Sequence, residues 1–248
     1  MSGKVLYSEL NPQEFKSRIL EAPIAYLPLG TLEWHGKHLP LGTDGLISSG
    51  FFIELANNIG GIVLPMLFLG PDLFRNINEK DYYGMDIHSY PSSKPEQLPG
   101  SAYWVNNELF KQIIEVTLKQ LKRAGFKIII AHGHGPSTLL FAQFSKEWQN
   151  KFGLNLFTCW QRGESPEFGL QTDHAASNET SLMMALRPEL VNLNNLSKNM
   201  NKKPLGLIGK DPRKHANSEL GTKIITRQIE NMAIILRDKL EELSKKVD

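Results

Sequence analysis

Glu33, His35 and Asp44 fall within one stretch, Gly30 to Gly45, that also carries His38 and several Gly and Pro residues. Glu33 and His35 are two apart, so in extended backbone their side chains leave on the same face. Asp44 arrives nine residues after His35, just ahead of a helical pattern. A carboxylate, an imidazole and a second carboxylate converging at a strand end suit a zinc or manganese ion. A second cluster, His132-Gly133-His134-Gly135, directly follows the apolar run Ile128-Ile129-Ile130-Ala131. Its glycines remove side chains and let a ligand approach the backbone, and His132 and His134 share a face if the strand continues. A third cluster holds Asp173, His174 and Glu179. Cys159 is either a nucleophile of the cysteine-amidase kind or an inert thiol buried in an apolar strand. His215, beside Arg213 and Lys214, reads as surface.

These clusters need elements to position them. Ile24 to Leu29 reads as a buried strand, and Leu46 to Ile59 has apolar residues at helical spacing. The connection between them, about fifteen residues, is far longer than such loops usually run. Pro12 begins a short helix behind Asn11, and Ile62 to Phe68 reads as a second strand that Pro65 weakens. Asn106 to Ala124 is helical, with Gly125 as its C-terminal cap, and Lys127 to Ala131 is a buried strand. Helix resumes from Ser137 as N-cap to about Phe152, and Leu154 to Trp160 is the next strand. Gln161 to Gln171 is loop, Leu182 to Leu186 is helix behind a cap at Ser177 or Asn178, and Val191 to Asn217 is polar and loop-like. Glu219 to about Lys246 is a long amphipathic helix. Strands alternate with helices, and the best strands are apolar throughout. That predicts an α/β fold, a mostly parallel sheet with helices on both faces in a three-layer sandwich. In such sheets ligands bind beyond the carboxyl ends of the strands. Glu33 follows the first strand, His134 the third, and His174 and Glu179 the fourth, so the three clusters fall on one edge of one sheet.

The 248 residues are compatible with a single domain over 1–248, with a lid-like insert at about 70–105. That insert carries Phe74, Tyr82, Tyr83, Tyr90 and Tyr103 between prolines, more rings than a disordered linker holds. It is a lid or oligomer contact over the site, or a satellite core under a surface loop. A net charge of +2 with no long single-sign run calls for neither a nucleic-acid nor a membrane partner. No apolar stretch approaches the roughly 20 residues of a membrane span, and the N-terminus lacks a signal core. One cysteine cannot form an internal disulfide, and a cytoplasmic location is the simplest.

The run Gly30-x-x-Glu33-x-His35-Gly36-x-His38-Leu39-Pro40-x-x-Thr43-Asp44 closely resembles the signature of the creatininase family of metal-dependent amidohydrolases. The resemblance extends from about Pro28 to about Gly221, where Gly209-x-Asp211-Pro212 and Glu219-x-Gly221 resemble the family's C-terminal region. It implies a creatininase-like fold and a homo-oligomer, commonly hexameric, with one or two divalent ions per chain: Zn2+, with Mn2+ suited to one site. By resemblance His134 matches the metal-binding His of an Asn-Gly-His motif, with His132 in place of the Asn and so a supporting group. Creatininase itself has a ligating Glu two residues after that His; here Pro136 cannot ligate. Glu179-Thr180-Ser181 matches a segment from which other relatives draw the last carboxylate, so Glu179 is a metal ligand and catalytic residue, or else only a capping-box partner. Asp173-His174-Ala175 resembles the segment whose His transfers protons. His174 is then the catalytic proton carrier, or a ring merely paired to Asp173. His38 is a supporting residue of the motif. His88 resembles a His ahead of a segment that here reads Leu98-Pro99-Gly100-Ser101, with Ser92 to Gln97 inserted where substrate enters.

The arrangement implied is Glu33 and His134 on one metal, His35 and Glu179 on the other, and Asp44 bridging. A water activated there attacks an amide or cyclic-amide carbonyl, and His174 passes a proton to the leaving nitrogen. A deformylase or peptidase-like relative acting on a formamide or peptide, and a metal- or ligand-binding protein without turnover, are the alternatives.

Overall fold

Asn11 starts the first helix, α1 (Pro12–Glu21): its side chain accepts from the N–H groups of Gln13 and Glu14, and Glu14 accepts from the Asn11 N–H at 2.8 Å. The computed structural model describes residues 3–88, 95–159 and 168–245. Tyr90, the Ser92 end of the inserted segment, Trp160 and Gln161 at the predicted strand–loop junction, and Lys246 lie outside the described residues. After α1 come β1 (Ile24–Leu29), α2 (Thr43–Ile59), β2 (Ile62–Val63), the hairpin β3 (Phe74–Ile77) and β4 (Lys80–Tyr83), and α3 (Met85–His88). Then follow α4 (Asn107–Arg123), β5 (Ile128–Gly133), α5 (Gly135–Phe152), β6 (Asn155–Thr158), α6 (Ser177–Leu186), α7 (Pro212–His215) and α8 (Ser218–Ser244).

The main sheet has the order β2-β1-β5-β6 and is parallel throughout. Its residues alternate between two apolar layers. Ile24, Tyr26, Ile128 and Ile130 pack with α2, α6 and α8, whereas Ala25, Leu27, Leu29, Ile129 and Ala131 pack with α4 and α5. Both faces of every central strand are therefore out of water, which is why β1 and β5 read as unbroken apolar runs. The result is the three-layer α/β sandwich expected.

Several boundaries differ from the sequence reading, each for a local reason. α2 begins at Thr43 rather than Leu46, so Asp44 lies in its first turn. Those first residues face the polar site and show no core periodicity. The second strand pairs only over Ile62–Val63; Pro65 has no N–H to donate, and the chain rejoins β1 through a bridge from Leu67 to Leu29. α5 starts at Gly135 with His134 as N-cap, so Ser137 is not the cap but a buried first-turn residue. The cap of α6 is Ala176, and Ser177 and Asn178 lie inside the helix. The stretch from Val191 to Asn217 holds a 3-10 turn at Leu193–Asn195 and the short α7. β6 ends at Thr158, leaving Cys159 just past it and fully buried.

Candidate metal centre

The carboxyl ends of β1, β5 and β6 open on one side of the sheet, and the loop after β1 carries the first residues there. That loop is tied down on several sides: the Glu33 N–H donates to the Leu41 carbonyl at 3.0 Å, the Trp34 N–H to Ser101 Oγ at 2.9 Å, and the Ala102 N–H to the Leu32 carbonyl at 2.8 Å. The Leu98–Ser101 segment thus clamps the loop. On β5, Gly133 has φ +146°, and a Cβ there would lie 1.6 Å from the Leu29 carbonyl oxygen. Only glycine permits that approach, and it lets the chain turn so that His134 enters the site.

Asp44 stands at the centre. Its Oδ1 lies 3.3 Å from His35 Nε2 and its Oδ2 3.1 Å from His134 Nδ1. Glu179 Oε2 lies 3.6 Å from His35 Nε2, and Glu33 Oε2 3.7 Å from His134 Nδ1. Two groups of potential ligand atoms result, Glu33–Asp44–His134 and His35–Asp44–Glu179, each with its atoms within 4.8 Å of one another and all buried. A third grouping, Glu33–His35–His174, meets the same distance. The ligand-facing nitrogens are set by the opposite ring atoms: His35 Nδ1–H donates to the Glu33 carbonyl at 3.1 Å, and His134 Nε2–H to the Pro71 carbonyl at 3.2 Å.

The electrostatics are those of a cation site. Burial pushes Glu33 up to about 7 and Glu179 well above the usual carboxylate range. Burial also opposes ionisation of Asp44, but His35 and His134 on either side hold it well below its ordinary value. Burial disfavours a charged His35, yet Asp44, Glu179 and Glu33 together outweigh it and raise the ring to about 10. Burial also disfavours a charged His134, but Asp44, Asp72 and Glu33 together raise it well above its ordinary value. Protons here act as counter-ions for clustered carboxylates. A divalent cation would displace them, and the donor set of imidazole nitrogens and carboxylate oxygens fits zinc or manganese.

The remaining predicted residues divide. The His174 ring lies against that of His35 with centroids 4.3 Å apart and planes tilted by 36°; its Nε2–H donates to the Trp34 carbonyl at 2.8 Å, leaving Nδ1 4.0 Å from Glu33 Oε2. Burial, with the charge of His35, lowers it to about 3, so the ring is neutral. Asp173 does something other than hold His174. Its carboxylate accepts from the Asn178 N–H at 2.7 Å and the Glu179 N–H at 3.1 Å, serving as the cap that Ala176 cannot provide. Glu179 in turn accepts from the Ala175 N–H at 2.6 Å, across a residue with φ +51°. Asp173→Ala is expected to destabilise the fold by about 1 kcal/mol, a fall in Tm of roughly 2–4 °C by calorimetry, with metal content unchanged. A loss of metal instead would make Asp173 part of the site itself.

His38 Nε2 pairs with Thr180 Oγ1 at 3.0 Å, linking the loop to α6, and burial lowers it to about 4. His132 is wholly buried, lowered by burial to about 3, and belongs to none of the three ligand groupings. His88 is exposed at the end of α3 and lines the same cavity as Glu33, His134, His174 and Glu179, a space of about 590 Å³.

Sequence reasoning missed two residues. Gln171 donates from Nε2 to Asp44 Oδ1 at 3.0 Å while accepting from Ser48 Oγ at 3.0 Å, fixing the central carboxylate. Asp72 places Oδ2 3.3 Å from His134 Nε2. Only position offered a signal: Asp72 follows the second strand and Gln171 the fourth, on the edge where ligands gather.

The family model described as creatinine amidohydrolase matches residues 8–235 of this chain. The creatinine amidohydrolase of Pseudomonas putida is 23% identical over 212 residues, covering 78% of this chain and 76% of that protein. A crystal structure of creatinine amidohydrolase superposes with a TM-score of 0.73 at 19% identity, covering 96% of this chain and 98% of its own. A manganese form of creatininase matches at a TM-score of 0.72 and 19% identity, covering 96% of this chain and 99% of its own. A Zn–Zn form matches at 0.70 and 20% identity, with the same shares covered. The family match spans nearly the whole chain and its two ends of the site alike, and with it the chain belongs to the creatininase family of metal-dependent amidohydrolases.

Proposed function

We propose that this chain hydrolyses the C–N bond of an amide or cyclic amide, with Glu33, Asp44 and His134 holding one divalent ion and His35, Asp44 and Glu179 a second. The observation that carries the reading is the Asp44 carboxylate, whose two oxygens face two different imidazoles at 3.3 and 3.1 Å. Bound there, divalent ions supply a water that deprotonates near neutral pH and a Lewis acid for the carbonyl oxygen. The chain's own residues do the rest. The Trp34 carbonyl fixes the tautomer of His174, leaving Nδ1 as the base directed towards Glu33. His174 takes a proton at Nδ1 from the attacking water and returns it to the nitrogen as the C–N bond breaks. The carbonyl carbon becomes a carboxyl group and the nitrogen an amine, released from an open-chain amide and kept in the opened chain of a cyclic one. Gln171 keeps Asp44 aligned, and Leu73, Leu139 and Ile208 give the cavity an apolar outer wall for the non-reacting part of the substrate.

That wall and a cavity of about 590 Å³ also favour a second reading, a substrate larger than one small ring, such as a formamide or short peptide. Assays on cyclic amides, formamides and short peptides decide between them. No helix among the described residues is long and apolar enough to cross a membrane. A cytoplasmic homo-oligomer, hexameric as is common in the family, completes the proposal, and the exposed Leu73, Phe74 and Tyr103 give the insert apolar surface to bury in it.

The first test is metal content per chain, wild type beside Glu179→Ala. Wild type is expected to hold near two equivalents and the variant near one. Equal content in both would leave Glu179 as a helix-turn residue only. No metal after reconstitution with zinc and manganese would replace the hydrolase reading with a binding role.

A further inference from the structure

The insert between β2 and α4 does more than border the cavity. The chain from Pro71 to Met85 meets the candidate ligands at three points. The Pro71 carbonyl and Asp72 Oδ2 lie 3.2 and 3.3 Å from His134 Nε2, on the side of the ring facing away from Asp44. The Met85 N–H donates to Glu33 Oε1 at 3.1 Å. Between them lies Gly84, with φ +48°, where a Cβ would stand 2.5 Å from both Asp72 Oδ2 and Glu33 Oε1. The missing side chain is what lets both carboxylates close on the site. Asp72 is itself held, accepting from the Leu73 N–H at 2.6 Å, and its side chain is only 8% exposed. The rings of Tyr83 and Trp104 stack at 5.8 Å, and Trp104 lies 5.9 Å from the His134 ring, so the hairpin and the histidine are also packed together.

We propose that Asp72 is a positioning residue for the Glu33–Asp44–His134 metal: beside the Pro71 carbonyl it puts a negative charge behind His134 Nε2 while Nδ1 faces the ion, and through it the insert forms the outer half of that site. The inference rests on the ligand assignment above. A carboxylate behind a ligating imidazole fixes ring orientation and raises its basicity, and losing such a partner costs about 10- to 100-fold in metal affinity. Among the described residues no carboxylate lies behind His35; its Nδ1 bonds the Glu33 carbonyl. The effect of Asp72 therefore falls on one metal of the two.

The test is competition titration of zinc against a chelator for wild type, Asp72→Asn and Asp72→Ala. Wild type is expected to bind two equivalents. Asp72→Ala should weaken one of them by about 10- to 100-fold and leave the other at wild-type affinity. Asp72→Asn keeps an acceptor without the charge and should fall between. If Asp72→Ala does not fold, as judged by circular dichroism, the near-isosteric Asp72→Asn decides alone. Wild-type affinity for both metals in the variants that fold would overturn the positioning role, as would equal weakening of both. A wild-type chain that binds no zinc would instead remove the ligand assignment, whatever the variants do.

Discussion

Replacing Asp44 by Ala is expected to empty both metal positions at once. Asp44 is the residue shared by the two proposed ligand groups, so each is left with two residues; the grouping that does without it, Glu33–His35–His174, draws its residues from both and from His174. Metal per chain should fall from near two equivalents to near zero, and turnover by about 10³-fold or more, the scale of losing an entire electrostatic element of catalysis. The fold should also suffer. Gln171 would keep only its longer contact to the main-chain carbonyl, and His35 and His134 would lose a carboxylate that helps offset their burial. Elemental analysis beside a thermal melt checks both effects. Retained metal and activity in Asp44→Ala would sink the bridging assignment.

His174→Ala should do the opposite to metal content. If the ring carries the proton between water and leaving nitrogen, kcat falls by about 10²- to 10⁴-fold while both metals stay. The alternative is structural: His174 Nδ1 also reaches a grouping with Glu33 and His35 that could hold an ion. In that case the variant loses an equivalent of metal along with activity. Measuring metal and kcat on the same preparation therefore separates a proton carrier from a ligand.

The parts of this site that were legible in the sequence are those made by local chain geometry. Glu33 and His35 lie in the loop after β1 and Asp44 in the first turn of the helix that follows it, so their types and close spacing point to a metal before any fold is known. The layer architecture was legible for the same kind of reason, since β1 and β5 are buried on both faces and carry no polar alternation. Asp72 and Gln171 were not legible because nothing near them in the chain marks them. Asp72 touches His134 across 62 positions, and Gln171 touches Asp44 across 127. The cap of α6 was misplaced because Ser177 and Asn178 have the right side chains at the expected position. Tertiary structure gives the work to Asp173, which reaches forward from outside the helix. The start of α2 was misplaced because its first turn points at the site, where apolar periodicity has no purpose.

The parallel order β2-β1-β5-β6 has a consequence for synthesis. Each of the strands bearing the site is separated from the next by a helical crossover, so the proposed ligands leave the ribosome in a fixed sequence: Glu33, His35 and Asp44 first, His134 much later, Glu179 last. All three residues of the proposed Glu33–Asp44–His134 group have been made once β5 and His134 are out. The His35–Asp44–Glu179 group must wait for β6 and α6. At about 5–20 residues per second, that interval lasts several seconds, in which the nascent chain carries every residue of one proposed group and lacks Glu179 of the other. On this order, a metal present during translation would meet the full residue set of the proposed Glu33–Asp44–His134 group before that of the other.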